Sequence, residues 1–233
     1  MRSTSFCLVA VITALILVPA LSADVCSNPN DCKFTFDASN GGVDTLASYG
    51  TVELKLVGSS IEFLINLNSG FHLIETGNRP GTFGFNDTLS GTNDLTYIYS
   101  DPTDYSGGNG GGAVDSFDFF GDFSATAGTT APGPRAGTAG VSSLDITVSR
   151  PGGFTDVNQL VALSTTPPGE HAYFAADVFQ TDCAAPNAPS CTGLIGVTGG
   201  AIVQSVPEPT SYAAVLAGFG AIVFMVQRRE RRR

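Results

Sequence analysis

The sequence is poor in the side chains that carry basic and nucleophilic chemistry. Its 233 residues include no tryptophan and two histidines, and 11 basic residues stand against 21 acidic ones. Lysine occurs at Lys33 and Lys55 alone, so few groups are available for proton abstraction or Schiff-base formation. Neither a G-x-S-x-G nucleophile elbow nor an H-E-x-x-H zinc helix is present. Basic residues are scarcest in the middle of the chain. Between residues 24 and 206, Lys33, Lys55, Arg79, Arg135 and Arg150 face 19 Asp and Glu, a net charge of −14. A surface of that sign repels phosphate backbones, which excludes nucleic acid as a partner. Internal repeats are lacking, and no stretch outside the two ends keeps a 3.6-residue apolar period. The length fits one domain.

The ends differ from this middle. Arg2 opens residues 1–22 with a positive charge, and Phe6 to Val18 is an apolar run broken at Thr13. The small residues Ala20 and Ser22 then fit a signal-peptide cleavage after Ser22, with cleavage after Ala23 the close competitor. The run falls short of the roughly 20 apolar residues that span a bilayer, which argues against an uncleaved anchor. Asp24 and Val25 precede Cys26, which does not suit lipidation there.

At the other end Val206-Pro207-Glu208-Pro209 leads into an apolar segment, Tyr212 to Val226, and then a cluster of Arg228, Arg229, Arg231, Arg232 and Arg233. Arginines abutting an apolar segment hold that side in the cytoplasm, and an N-terminal export signal places everything before Pro207 outside. Motif, apolar segment and basic end together resemble the PEP-CTERM sorting domain of Gram-negative bacteria, over residues 206–233. The resemblance implies recognition by an exosortase, a membrane cysteine protease-transpeptidase, and removal of the helix and basic end. It further implies transient anchoring in the inner membrane, then delivery to the cell surface or the exopolysaccharide matrix. An ordinary C-terminal membrane anchor is the competing reading of the same residues.

Residues 23–205 read as an all-β ectodomain. Thr51–Val57 and Ser60–Leu67 alternate apolar with polar and are separated by Gly58-Ser59, the chemistry of a type II′ hairpin. That turn places Leu56 opposite Ile61, Leu54 opposite Phe63 and Val52 opposite Ile65, with Lys55 facing Glu62 on the other side. Further strands are expected at 33–36, 71–75, 82–86, 94–99, 115–123, 142–149, 159–163, 172–179 and 194–203. About eleven strands without a helix predict a single β-sandwich, jelly-roll-like. Gly107–Gly112 and Ala125–Gly140 read as surface loops. Segments 68–77, 83–86 and 171–178 resemble stretches common in ectodomains joined to PEP-CTERM tails, a resemblance that brings no catalytic residue.

Cys7 leaves with the signal, so the exported chain keeps Cys26, Cys32, Cys183 and Cys191. Four cysteines in an exported protein predict two disulfides. Local pairing, Cys26–Cys32 and Cys183–Cys191, is the expectation among three connectivities. The alternative ties the N-terminal strand to the last hairpin. The spacing does not suit zinc. Asp101, Asp104, Asp115, Asp118 and Asp122 flank the glycine tract, and carboxylates beside backbone carbonyls are calcium chemistry. No EF-hand spacing is present, so a solvated acidic face is expected, with Asp101, Asp104 and Asp115 as candidate Ca²⁺ ligands. No other cofactor is expected. His72 and Glu75 fall on opposite faces of a strand, which undermines an acid–base pair. Tyr97, Tyr99 and Tyr105 are weighed as a sugar-stacking surface against plain packing, and Asn86-Asp87-Thr88 is a glycosylation sequon.

The expected role is that of a non-enzymatic surface or matrix protein associated with exopolysaccharide. The competing readings are a carbohydrate-active enzyme working through paired carboxylates and a periplasmic protein that keeps its anchor.

Overall fold

The computed structural model describes residues 25–74, 81–89, 94–128, 140–181, 183 and 190–202. The expected signal peptide and the sorting tail from Val206 lie outside them. Among the described residues twelve strands follow one another: β1 (Asp31–Phe36), β2 (Ala38–Ser39), β3 (Gly50–Val57), β4 (Ser60–Leu67), β5 (Phe71–Leu73), β6 (Phe83–Phe85), β7 (Thr96–Tyr99), β8 (Gly108–Ser116), β9 (Asp122–Ala127), β10 (Ser143–Ser149), β11 (Phe174–Thr181) and β12 (Ser190–Val197). They form two open sheets. The first has the order β1-β3-β4-β10-β7 and the second β2-β12-β11-β6-β9-β8. β5 joins the second sheet by pairing β11 next to β6, so β5 and β6 share one edge of β11 end to end.

The hairpin shows how sequence becomes register. Gly58 takes φ +64 while Ser59 stays out of the left-handed region, the signature of a type II′ turn. Leu56 pairs with Ile61, Leu54 with Phe63 and Val52 with Ile65, as the turn requires. Lys55 does stand opposite Glu62, but its ammonium bonds Glu53, two residues back on the same strand face, at 2.7 Å. That hydrogen bond raises the Lys55 pKa. The pair is exposed and contributes little.

Alternation puts one face of each sheet inside. Phe34, Val52, Phe63 and Ile146 from the first sheet meet Phe83, Phe85, Phe174 and Ile195 from the second, all fully buried. Phe63 sits at the centre, with ring centroids 5.3 Å from Phe83, 5.0 Å from Phe85 and 5.9 Å from Phe174. Burying each such ring stabilises the fold by about 1.5–3 kcal/mol.

Four expectations are corrected. Residues 115–123 are not one strand: Ser116 ends β8, a 3-10 turn covers Asp118–Phe120, and Asp122 starts β9. Asp118 at φ 36 and Gly121 at φ +88 turn the chain, which no straight strand accommodates. The turn lays Phe117 and Phe120 on the outer face of the second sheet, in a satellite cluster with Phe123, Ala172, Ala175 and Leu194. The glycine tract is strand rather than loop, because Gly108 pairs with Ala127 and Gly110 with Ala125. The same β9 claims the first residues of the expected 125–140 loop. Residues 159–163 are not a strand either. A 3-10 turn spans Val157–Leu160, where Asp156 accepts from Asn158 N–H and Gln159 Oε1 accepts from Asp156 N–H, a capping box.

Candidate functional site

Both disulfides close locally. Cys26 bonds Cys32 with Cα atoms 5.5 Å apart, and Cys183 bonds Cys191 at 6.0 Å. The first is tied down further by Asn158, whose side chain accepts from Cys26 N–H at 2.9 Å and donates to its carbonyl at 3.0 Å. Where β12 ends, Asp37 gathers the departing backbone: its carboxylate accepts from Thr198 N–H at 2.7 Å, Thr198 Oγ1 at 3.0 Å and Gly199 N–H at 2.9 Å. Ile202 N–H then donates to Lys33 carbonyl at 2.7 Å. Ile202, the last described residue, therefore lies alongside β1. Val206, Pro207, Glu208, Pro209 and the arginine cluster follow outside the described residues.

The acidic candidates do not converge. Asp101 accepts from Thr103 N–H and Asp104 N–H at 3.2 and 3.3 Å, which closes its own turn. Asp104 is exposed. Asp115 is buried and accepts from Thr126 Oγ1 at 2.7 Å and Asn109 Nδ2 at 3.4 Å. Asp122 accepts from Thr166 Oγ1 at 2.7 Å. Among the described residues, no group of three or more His, Cys, Asp or Glu side chains is disposed to hold a metal ion.

Tyr99 and Tyr105 are buried, and Tyr97 is half-buried. Tyr97 and Tyr99 stack at 6.5 Å and 15°, and Tyr105 is fully buried. Their hydroxyls donate to the carbonyls of Asn109, Gly107 and Leu73 respectively. Burial raises the pKa of all three phenols well above the ordinary value. The sequon asparagine is also taken: Asn86 Nδ2 donates to Ala162 carbonyl at 3.1 Å and its Oδ1 accepts from Ser124 N–H at 2.9 Å. His171 Nδ1 contacts Ser164 carbonyl at 2.6 Å. Glu75, whose pairing with His72 the strand geometry argued against, lies outside the described residues.

Among the described residues, two adjoining open clefts share Leu46 in their linings. The larger, about 830 Å³, lies where the chain crosses from the first sheet to the second after β4. Its walls include Leu67 from the first sheet and Ser142 just before β10, and Phe71, His72, Gln180 and Thr181 from the second sheet, with Ser69 and Gly70 in the crossing turn. The smaller, about 400 Å³, includes Asp37, Tyr49, Glu170 and Thr198 in its lining. Sequence reasoning missed both clefts. Leu46, His72 and Gln180 are far apart in sequence, and no motif links them.

Fold and site define an all-β, two-sheet domain with two local disulfides and uncommitted surface clefts. Comparison with protein-family models, curated proteins and solved structures finds no match.

Proposed function

We propose that the chain is exported and sorted by an exosortase-type system to the cell surface or extracellular matrix of a Gram-negative bacterium. There it serves a non-enzymatic, structural or polysaccharide-associated role. The observation that carries the reading is the tail itself: Val206-Pro207-Glu208-Pro209, the apolar segment to Val226 and five terminal arginines in sequence. Two disulfides support it, since such bonds persist in oxidising compartments outside the cytoplasm. We class the sandwich as jelly-roll-like, because from β4 onward the connections cross between sheets: β4 to β5, β6 to β7, β7 to β8, β9 to β10 and β10 to β11.

The test is intact-mass analysis of the protein from cells with and without an exosortase. Loss of residues beyond the motif in the first cells alone is expected, and retention of residues 210–233 in both refutes sorting. Turnover of a glycan abolished by one Asp→Asn change overturns the non-enzymatic role.

A further inference from the structure

We propose that the larger cleft, between Leu46 and His72, binds an uncharged, polyhydroxylated ligand: a segment of neutral glycan. The inference rests on, and deepens, the polysaccharide-associated role above by assigning it a place and a chemistry. Residues 24–206 carry a net charge of −14, yet among the described residues the lining of this cleft contains no carboxylate, lysine or arginine. A site for an anion needs basic side chains, and the surrounding negative potential opposes uronate, sulfate or phosphate. A site for a cation needs carboxylates. Neither is built here.

What the cleft offers is matched to hydroxyl groups. Ser69 and Ser142 are exposed at its walls, and each hydroxyl both donates and accepts. His72 Nδ1 lies 2.9 Å from Gly140 carbonyl, which can only accept, so Nδ1 carries the proton. In the neutral ring Nε2 is then left as an acceptor. Leu46, 42% exposed, supplies an apolar rim for the C–H face of a sugar ring.

The walls are held in place before a ligand arrives. Gln180 Nε2 donates to Asp44 Oδ2 at 2.8 Å while its Oε1 accepts from Asp44 N–H at 2.8 Å. Thr181 N–H donates to Gly70 carbonyl at 2.9 Å. The cleft volume of about 830 Å³ falls within the range of small-ligand sites. Fixed walls also lower the entropic cost of binding.

The test is calorimetric titration of the full-length chain in detergent micelles with cellohexaose, maltohexaose and chitohexaose, and with oligogalacturonate as the acidic counterpart. Binding of at least one neutral probe, and no binding of oligogalacturonate, is expected. His72→Ala and Leu46→Asp should each weaken that probe about tenfold or more, roughly the loss of one well-made contact. Leu46→Asp changes an exposed rim and leaves Leu46 N–H bonded to Tyr49 Oη, so it guards against a folding defect at His72. Ile98→Asp, exposed on β7 and outside the cleft, should change nothing. The proposal is overturned if no neutral probe binds, if oligogalacturonate binds as well, or if neither cleft variant lowers affinity. A processed tail without glycan binding overturns the cleft alone, and glycan binding with a retained tail overturns sorting alone.

Discussion

Arg150 holds Asp87 inside the protein: Nη1 lies 3.1 Å from each carboxylate oxygen, with the two side chains 8% and 2% exposed. The guanidinium also stands over the Phe154 ring, 5.5 Å from its centroid. The pair ties the segment after β6 to the segment after β10, and Asp87 Oδ1 additionally accepts from Leu89 N–H at 2.9 Å. A buried charge left without its partner costs far more than the pair contributes. Arg150→Met should therefore cost about 3–5 kcal/mol in denaturant unfolding, and the double variant Arg150→Met with Asp87→Leu should recover much of it. A single-variant cost below about 1 kcal/mol, the range of surface pairs, would contradict this account.

Alkaline pH should unfold the domain through its three packed phenols. Tyr97, Tyr99 and Tyr105 have raised pKa values in the fold, chiefly because burial disfavours the phenolate. Unfolded, each ionises near pH 10. Above that pH the folded state keeps protons that the unfolded state has released, so stability is flat below and falls above. The fall approaches about 1.4 kcal/mol per pH unit for each tyrosine. Urea midpoints measured from about pH 8 to about pH 11 should drop past pH 10, and Tyr97→Phe should soften the slope. An unfolding free energy that stays level over that range would refute the argument.

The satellite aromatic cluster predicts which glycines are fixed. A Cβ on Gly196 would stand 2.5 Å from a Phe120 ring carbon, and one on Gly84 would stand 2.6 Å from Phe117. Nothing lies within 4 Å of the same position on Gly200. Gly196→Ala should cost about 1–3 kcal/mol by overpacking, whereas Gly200→Ala should stay within about 0.5 kcal/mol of the parent. Equal urea midpoints for the two variants would mean that the rings shift aside freely.

How much of this was legible in the sequence varies with the range of the forces involved. The β3–β4 hairpin could be read to the residue because its turn, alternation and pairing are all local. The disulfides were legible for the same reason, since short spacings favour local closure. Residues 115–123 misled because Phe117, Phe119 and Phe123 mimic a two-residue period, while the deciding features are a left-handed Asp118 and a glycine turn at Gly121. Residues 159–163 misled because Leu160 and Val161 suggest a strand, but the capping side chain is Asp156, three residues before that segment. The clefts were invisible because their walls come from Leu46, His72 and Gln180, brought together only by the crossing of sheets.

The pairing of β2 with β12 joins Ser39 to Ile195 and Ala38 to Gly196. The second sheet thus cannot take on its outermost strand until nearly the whole domain has been synthesised. Folding dominated by such distant partners is slow, because loop-closure entropy is lost before the contacts that reward it form. The two disulfides escape that delay. With separations of 6 and 8 residues they can close as soon as their own segments meet oxidising conditions. Each constrains a segment next to a late-joining partner: Cys32 lies within β1 and Cys191 within β12, and Ala38 follows β1 after a single residue. The covalent staples sit beside the seam that closes last, where an unfinished edge would otherwise stay open longest to pairing with another chain.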